Sequence, residues 1–249
     1  MLKAIHRKIL KLINHGSTTK KELRSIRRGV EETIFAACFQ STICDSKWLV
    51  NKTFSPGRWA VGFPFLYVMY RVLNEVRPKK ILELGLGQST RMTCQYADFF
   101  HEVRHRVVEH DEKWISFFTR QYVLPDNTEI VRLDWDFVSY ADAKSVRVYE
   151  GFAETFASEK FDLIVIDGPL GGDMKEYSRI DVLRLMPDCL EKDFVILLDD
   201  CEREGEARTV DRMCKCLKDN HIEYQKGVYR GAKDMIVICS KNYAFLTSM

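Results

Sequence analysis

Residues 81–90 read Ile81-Leu82-Glu83-Leu84-Gly85-Leu86-Gly87-Gln88-Ser89-Thr90, and this stretch decides the fold. An apolar, strand-like run enters a Gly-x-Gly turn, and a helix-like segment opens at Ser89. In an open α/β sheet, ligands bind beyond the carboxyl ends of the strands, and glycines there let backbone approach a ligand closely. A dinucleotide fingerprint asks for Gly or Ala three positions after its second Gly, and that position is Thr90. Glu83 stands two residues before the first glycine. A carboxylate there is a poor neighbour for a pyrophosphate and suits a cationic ligand. Glu83, Gly85, Gly87 and Ser89 are the first candidate ligand contacts.

Outward from this turn, the pattern alternates. Apolar, β-branched runs at 81–84, 106–109, 129–133, 163–166 and 194–198 predict strands. Helix-like stretches fall between most of them, at 89–100, 112–123, 177–190 and 204–220. Strands alternating with helices imply βαβ units and a mostly parallel sheet covered on both faces, a Rossmann-like doubly wound α/β fold. Two strand-like runs at 224–229 and 234–239, separated by only four residues, predict a closing antiparallel hairpin. An aromatic-rich helix at 63–76 leads into the first strand.

Two further strand ends carry acids. Glu109 closes the second strand 22 residues after Gly87, where a carboxylate can accept from both ribose hydroxyls of a nucleoside. Asp111 is placed to cap the helix that follows. After the third strand, Asp134 could accept from an adenine amino group and Trp135 could stack on its ring, or both could form an ordinary strand-end turn.

The stretches ILELGLGQST, VVEHD, FDLIVIDGP and FVILLDD occur in an order and spacing that resembles the class I S-adenosylmethionine-dependent methyltransferases, over about 160 residues from Ile81. Within that superfamily the chain is similar to the metal-dependent catechol- and caffeoyl-type O-methyltransferases. The resemblance implies S-adenosylmethionine as cofactor and transfer of its methyl group to a hydroxyl of a small molecule or glycan. It also implies a site for Mg²⁺ or another divalent cation at Asp167, Asp199 and Asp200. Asp200 departs from the Asn of the family pattern. Lys175 matches a lysine of that pattern that serves as general base, but the Gly168-Pro169-Leu170-Gly171-Gly172 loop is longer than the family's. Asp167 and Lys175 are the catalytic candidates on this reading. The DDCER stretch and the basic N-terminal arm also resemble bacterial-type methyltransferases associated with surface polysaccharides.

Charge is unevenly placed. Residues 1–30 hold nine Lys and Arg against the single acid Glu22, and the rest of the chain holds 29 against 35, so a +8 arm precedes a −6 body. Such a body is not expected to bind nucleic acid. The arm predicts an amphipathic helix over 1–14, broken at Gly16-Ser17-Thr18-Thr19, in a basic helical extension spanning 1–58 ahead of a methyltransferase domain at 59–249. It either packs on the domain edge or contacts an anionic membrane surface. The eight cysteines are scattered without a CxxC pair, which fits reduced thiols in a cytoplasmic protein, peripheral at a membrane if the arm docks there. Two other functional classes remain open: a nicotinamide-dependent oxidoreductase, for which Glu109 would also suit ribose, and a non-catalytic protein that keeps the fold. The sequence sets no oligomeric state.

Overall fold

The structure, a computed structural model, describes the backbone of residues 2–249 and the side chains of residues 19–249. It opens with one long helix, α1 (Leu2–Thr42), followed by α2 (Phe63–Arg71), which runs into a π-helical turn at Val72–Val76. Then come β1 (Lys80–Leu84), α3 (Gln88–Phe99), β2 (Arg104–Glu109), α4 (Glu112–Gln121) and β3 (Thr128–Arg132). A hairpin of β4 (Trp135–Tyr140) and β5 (Ala143–Tyr149) leads through α5 (Phe152–Phe156) to β6 (Phe161–Ile166). The chain closes with β7 (Leu190–Leu198), α6 (Glu204–Asp219), β8 (Tyr224–Tyr229) and β9 (Met235–Ser240).

Seven strands form one sheet in the order β3-β2-β1-β6-β7-β9-β8, while β4 and β5 pair separately. All pairings from β3 to β7 are parallel, and β9 is antiparallel to both β7 and β8. The doubly wound sheet and its closing hairpin are those the sequence predicts.

The two-residue strand period divides the core between the faces. Ile81, Leu163, Val165, Val195 and Leu197 point to the layer formed by α2, α3 and the C-terminal half of α1, where Phe39, Phe65, Met69 and Tyr96 are buried. Leu82, Leu84, Ile164, Ile166 and Ile196 point the other way, against Phe152, Val210 and Met213. Strands buried on both faces need these near-continuous apolar runs.

Two expectations are corrected, and one element is added. No break falls at residues 16–19, because α1 is a single helix to Thr42. Residues 177–190 do not form a helix: only Asp181–Arg184 makes a 3₁₀ turn. Arg179 there has φ +58°, which no α-helix tolerates, and Pro187 follows. Finally, the β4–β5 hairpin fills a region that the alternation of strands and helices left empty.

One face of α1 is fastened to the body. Phe39 is fully buried, Glu32 accepts from the backbone N–H of Phe63 (2.7 Å) and of Ala232 (2.8 Å), and Arg28 pairs with Asp234 (2.8 Å). Glu32 thereby ties α1 both to the start of α2 and to the β8–β9 loop. We predict that Glu32→Ala costs about 1–3 kcal/mol in urea-induced unfolding, since it strands two N–H donors at once. A change below about 0.5 kcal/mol would contradict this anchoring role.

Candidate functional site

The strand order reverses between β1 and β6, and the ends of these two strands make the crevice where open α/β sheets bind ligands. The backbones nearly touch there. A Cβ added to Gly85 would lie 3.1 Å from the carbonyl of Asp167, and one on Gly168 would lie 2.5 Å from the Tyr149 hydroxyl and 3.0 Å from Gly85 N. Gly85 also has φ +98°, a conformation that glycine adopts freely. At Gly87, by contrast, a Cβ would meet nothing within 4 Å, so this backbone lies open at the start of α3. The first turn of α3 carries no acid, so its dipole favours an anion there, while Gly87 N donates to Thr90 Oγ1 (2.9 Å).

A cleft of about 480 Å³ lies over this crevice, within the range of small-molecule sites. Gly85, Leu86, Gly87, Glu109, Trp135, Asp167 and Asp200 all line it. Glu109 is held in place by backbone: Oε1 accepts from His110 N (2.8 Å) and Asp111 N (3.0 Å), and Oε2 accepts from Leu86 N (3.2 Å). Asp111 caps α4 as expected, accepting from Lys113 N and Trp114 N.

Asp167, Asp199 and Asp200 converge, each offering an oxygen within 4.8 Å of the others. Cationic side chains meet them. The Arg179 guanidinium lies 2.8 Å from Asp200 Oδ2 and 3.2 Å from Asp167 Oδ1, and Arg203 lies 2.9 Å from Asp200 Oδ2. Lys233 Nζ is 3.2 Å from both Asp199 Oδ2 and Asp200 Oδ1. Burial pushes the Asp167 and Asp199 carboxyls up. Burial would raise Asp200 as well, but Arg179, Lys233 and Arg203 together bring it below its ordinary value. Burial would lower Lys233, and the three aspartates more than offset that, so its ammonium stays charged. Arg179 (φ +58°) and Asp200 (φ +61°) both sit in the left-handed region, strain that costs about 1–3 kcal/mol each and collects at functional sites. A set of acids already met by three cations does not fit a further divalent ion.

Four of the sequence candidates lie elsewhere. Glu83 shares a strand face with Ile81, is fully buried, and bonds His105 Nε2 at 3.0 Å, turned into the sheet rather than the cleft. The Ser89 side chain is buried behind the turn. Asp134 is exposed and paired with Arg132 (3.1 Å), and Lys175 is exposed and outside the cleft lining. Trp135 lines the cleft, but His110 stacks on it at 3.8 Å and the Arg147 guanidinium lies 4.6 Å from its ring centre. Its Nε1 is buried without a partner among the described residues, and with His110 and Arg147 against the ring it presents no open face to a ligand.

The sequence reading missed Arg179, Lys233, Trp114 and Trp59. Trp114 donates Nε1–H to Leu86 O (2.7 Å) over the turn. Trp59 stands at the cleft with 82% of its surface exposed, after Arg58 at φ +55°. The Pro56-Gly57 turn was the available signal for this loop.

No family model matches the chain, and no curated protein matches it. Among solved structures, a candidate caffeoyl-CoA O-methyltransferase from Staphylococcus aureus is 15% identical, covering 85% of this chain and 100% of that one with a TM-score of 0.51. The two proteins share a fold. An O-methyltransferase from Bacillus cereus in complex with SAH (15% identity, 86% and 92% covered) overlays with a TM-score of 0.46. TomG, an O-methyltransferase from Streptomyces achromogenes in complex with SAM, gives 0.47 at 10% identity, covering 84% and 89%.

Beside the cleft, Asp181 is fully buried and accepts from Tyr149 N (2.7 Å), while its Oδ2 has no partner among the described residues. Burial pushes its carboxyl up to about 7. A carboxyl whose folded-state pKa lies above its unfolded value holds its proton more tightly when folded. Its contribution is therefore fully present below about pH 4 and is lost as pH rises towards 7. Asp181→Asn, which cannot ionise, is predicted to be more stable than the wild type at pH 8 by on the order of 1–3 kcal/mol, the gap closing as pH falls to 4. Chemical denaturation across that range checks this, and a pH-independent difference would refute it.

Proposed function

We propose that the chain is an S-adenosylmethionine-dependent O-methyltransferase acting on a hydroxyl of a small molecule or glycan. The observation that carries this reading is the pairing of two carboxylates, Glu109 and Asp167, on either side of the Gly85–Gly87 turn in one cleft. Asp167 is met by Arg179, but Glu109 pairs with no Arg or Lys among the described residues, and its carboxylate beside the glycine turn would repel the phosphates of a dinucleotide and favour a donor bearing an ammonium and a sulfonium. The open start of α3 suits that donor's carboxylate. The fold shared with the candidate caffeoyl-CoA O-methyltransferase supports the same reading.

The donor supplies a methyl carbon activated by a positively charged sulfur. In this reading Glu109 accepts from the ribose hydroxyls, and the backbone at Gly85 and Gly87 lets the methionyl part lie against the turn. Trp114 and Trp135 wall the adenine side. Asp167 faces the acceptor and takes the hydroxyl proton as the acceptor oxygen attacks the methyl carbon in line with the departing sulfur. Its burial raises its affinity for that proton, and Arg179 keeps it ionised beforehand. No step here runs through a metal ion.

Titration calorimetry tests the donor assignment. S-adenosylhomocysteine is expected to bind and NADH is not. Glu109→Ala should weaken S-adenosylhomocysteine binding about 10- to 100-fold, by loss of hydrogen bonds to a charged acceptor. Asp167→Asn should leave that affinity within a few-fold while lowering the rate of methyl transfer by about 10²–10⁴. Binding of NADH in place of S-adenosylhomocysteine would overturn the assignment.

We further propose that the protein works at an anionic membrane surface, on its cytoplasmic side, in surface-polysaccharide modification. Leu23, Ile26, Val30 and Ile34 form an exposed stripe on the face of α1 opposite Phe39, among exposed Lys20, Lys21, Arg24 and Arg27. That combination favours an interfacial helix. Among the described residues, no helix is long and apolar enough to cross a membrane. The protein should co-float with phosphatidylglycerol vesicles, be released by high salt, and lose most of this association in Ile26→Asp. Absence of co-flotation at low salt would rule the contact out.

A further inference from the structure

We propose that Lys233 stands where a divalent cation would sit, so that the protein organises its acceptor with its own ammonium group and needs no metal ion. A metal shared by Asp167, Asp199 and Asp200 would bridge oxygens of all three. Lys233 Nζ already bridges the two consecutive acids, 3.2 Å from Asp199 Oδ2 and 3.2 Å from Asp200 Oδ1. Arg179 spans from Asp200 to the third acid, Asp167. Counting Glu206, which lies 3.3 Å from Arg203, the cluster has four carboxylates and three cations. A bound Mg²⁺ or Mn²⁺ would reverse that balance and press directly against the ammonium that shares its ligands.

Lys233 is not a surface lysine that swings freely. Its side chain is 12% exposed and forms part of the cleft wall. The loop that carries it is fixed on both sides. Ala232 N donates to Glu32, the carbonyl of Ala232 accepts from Arg28, and Asp234 N donates to Glu202 (2.8 Å) while its carbonyl accepts from Cys201 N (2.7 Å). A lysine ammonium has three N–H donors. Two are directed at Asp199 and Asp200, and the third is available to an acceptor oxygen in the cleft. Asp200 in place of the family's Asn fits the same account, since a second acid beside Asp199 gives the ammonium two anionic partners.

This inference rests on the donor reading only for what the third N–H meets, and its test omits the methyl donor, so the two can fail separately. Wild type and Lys233→Met are titrated with Mn²⁺ by calorimetry, and thermal unfolding is followed with Mn²⁺ or EDTA. The wild type should bind Mn²⁺ no more tightly than about 1 mM and keep its Tm in both additives. Lys233→Met frees two carboxylate oxygens, and should bind Mn²⁺ at least about 10-fold more tightly, with a Tm that rises on Mn²⁺ addition. Lys233→Arg, which keeps the charge, should behave as the wild type. Tight Mn²⁺ binding by the wild type that Asp199→Asn abolishes would overturn the proposal, and so would a folded Lys233→Met with no gain in Mn²⁺ binding. The wild-type arm needs no variant to fold.

Discussion

The contact between Gly85 and Gly168 sets the geometry of everything around it. Two backbone segments from the ends of β1 and β6 approach so closely that neither can carry a side chain. Asp167 N donates to Leu84 O (2.9 Å), and Gly85 N donates to Val108 O (2.9 Å), so the ends of three strands are tied into one rim. Glu109 and Asp167 then emerge on opposite sides of a single turn, with α3 starting between them. The apolar alternation along each strand supplies the rigidity: sheet faces packed against both helical layers leave these strand ends little freedom to move.

Charge is the second organising element. Three acids at the β6 and β7 ends and Glu206 in the first turn of α6 would repel each other in a low-dielectric setting, and burial of an unpaired charge is costly. The chain meets this with Arg179, Arg203 and Lys233, drawn from three separate segments. Two of the residues involved, Arg179 and Asp200, adopt strained backbone to reach one another. Such a cluster adds little to stability compared with apolar packing. Arg147 has a related task. It pairs with Asp173 through two 2.7 Å contacts and donates to Leu170 O, holding the long 168–173 loop against Trp135 at the cleft edge.

The architecture was legible because it rests on local periodicity: five apolar runs, a glycine turn and a closing hairpin. The place of Glu109 at the cleft was legible for the same reason, since it closes a strand next to the glycine turn. Glu83 was not. Its chemistry suggested a ligand contact, but strand alternation puts it on the face with Ile81, where His105 receives it. The acids beside the glycine turn that do line the cleft are Glu109 and Asp167. Lys175 failed because proximity in sequence to Asp167 does not fix the direction of a loop. The cations that do reach the acids, Arg179 and Lys233, lie 20 and 34 residues from Asp199, and nothing local distinguishes a buried lysine from a surface one.

The account stands or falls on which molecule fills the cleft over the β1–β6 crevice. A crystal structure after soaking with S-adenosylhomocysteine addresses this directly. The predicted result is density against the Gly85–Gly87 turn, with both ribose hydroxyls in hydrogen-bond range of Glu109 and the amino-acid carboxylate at the start of α3. Density elsewhere on the molecule, or a nucleoside turned away from Glu109, would contradict it.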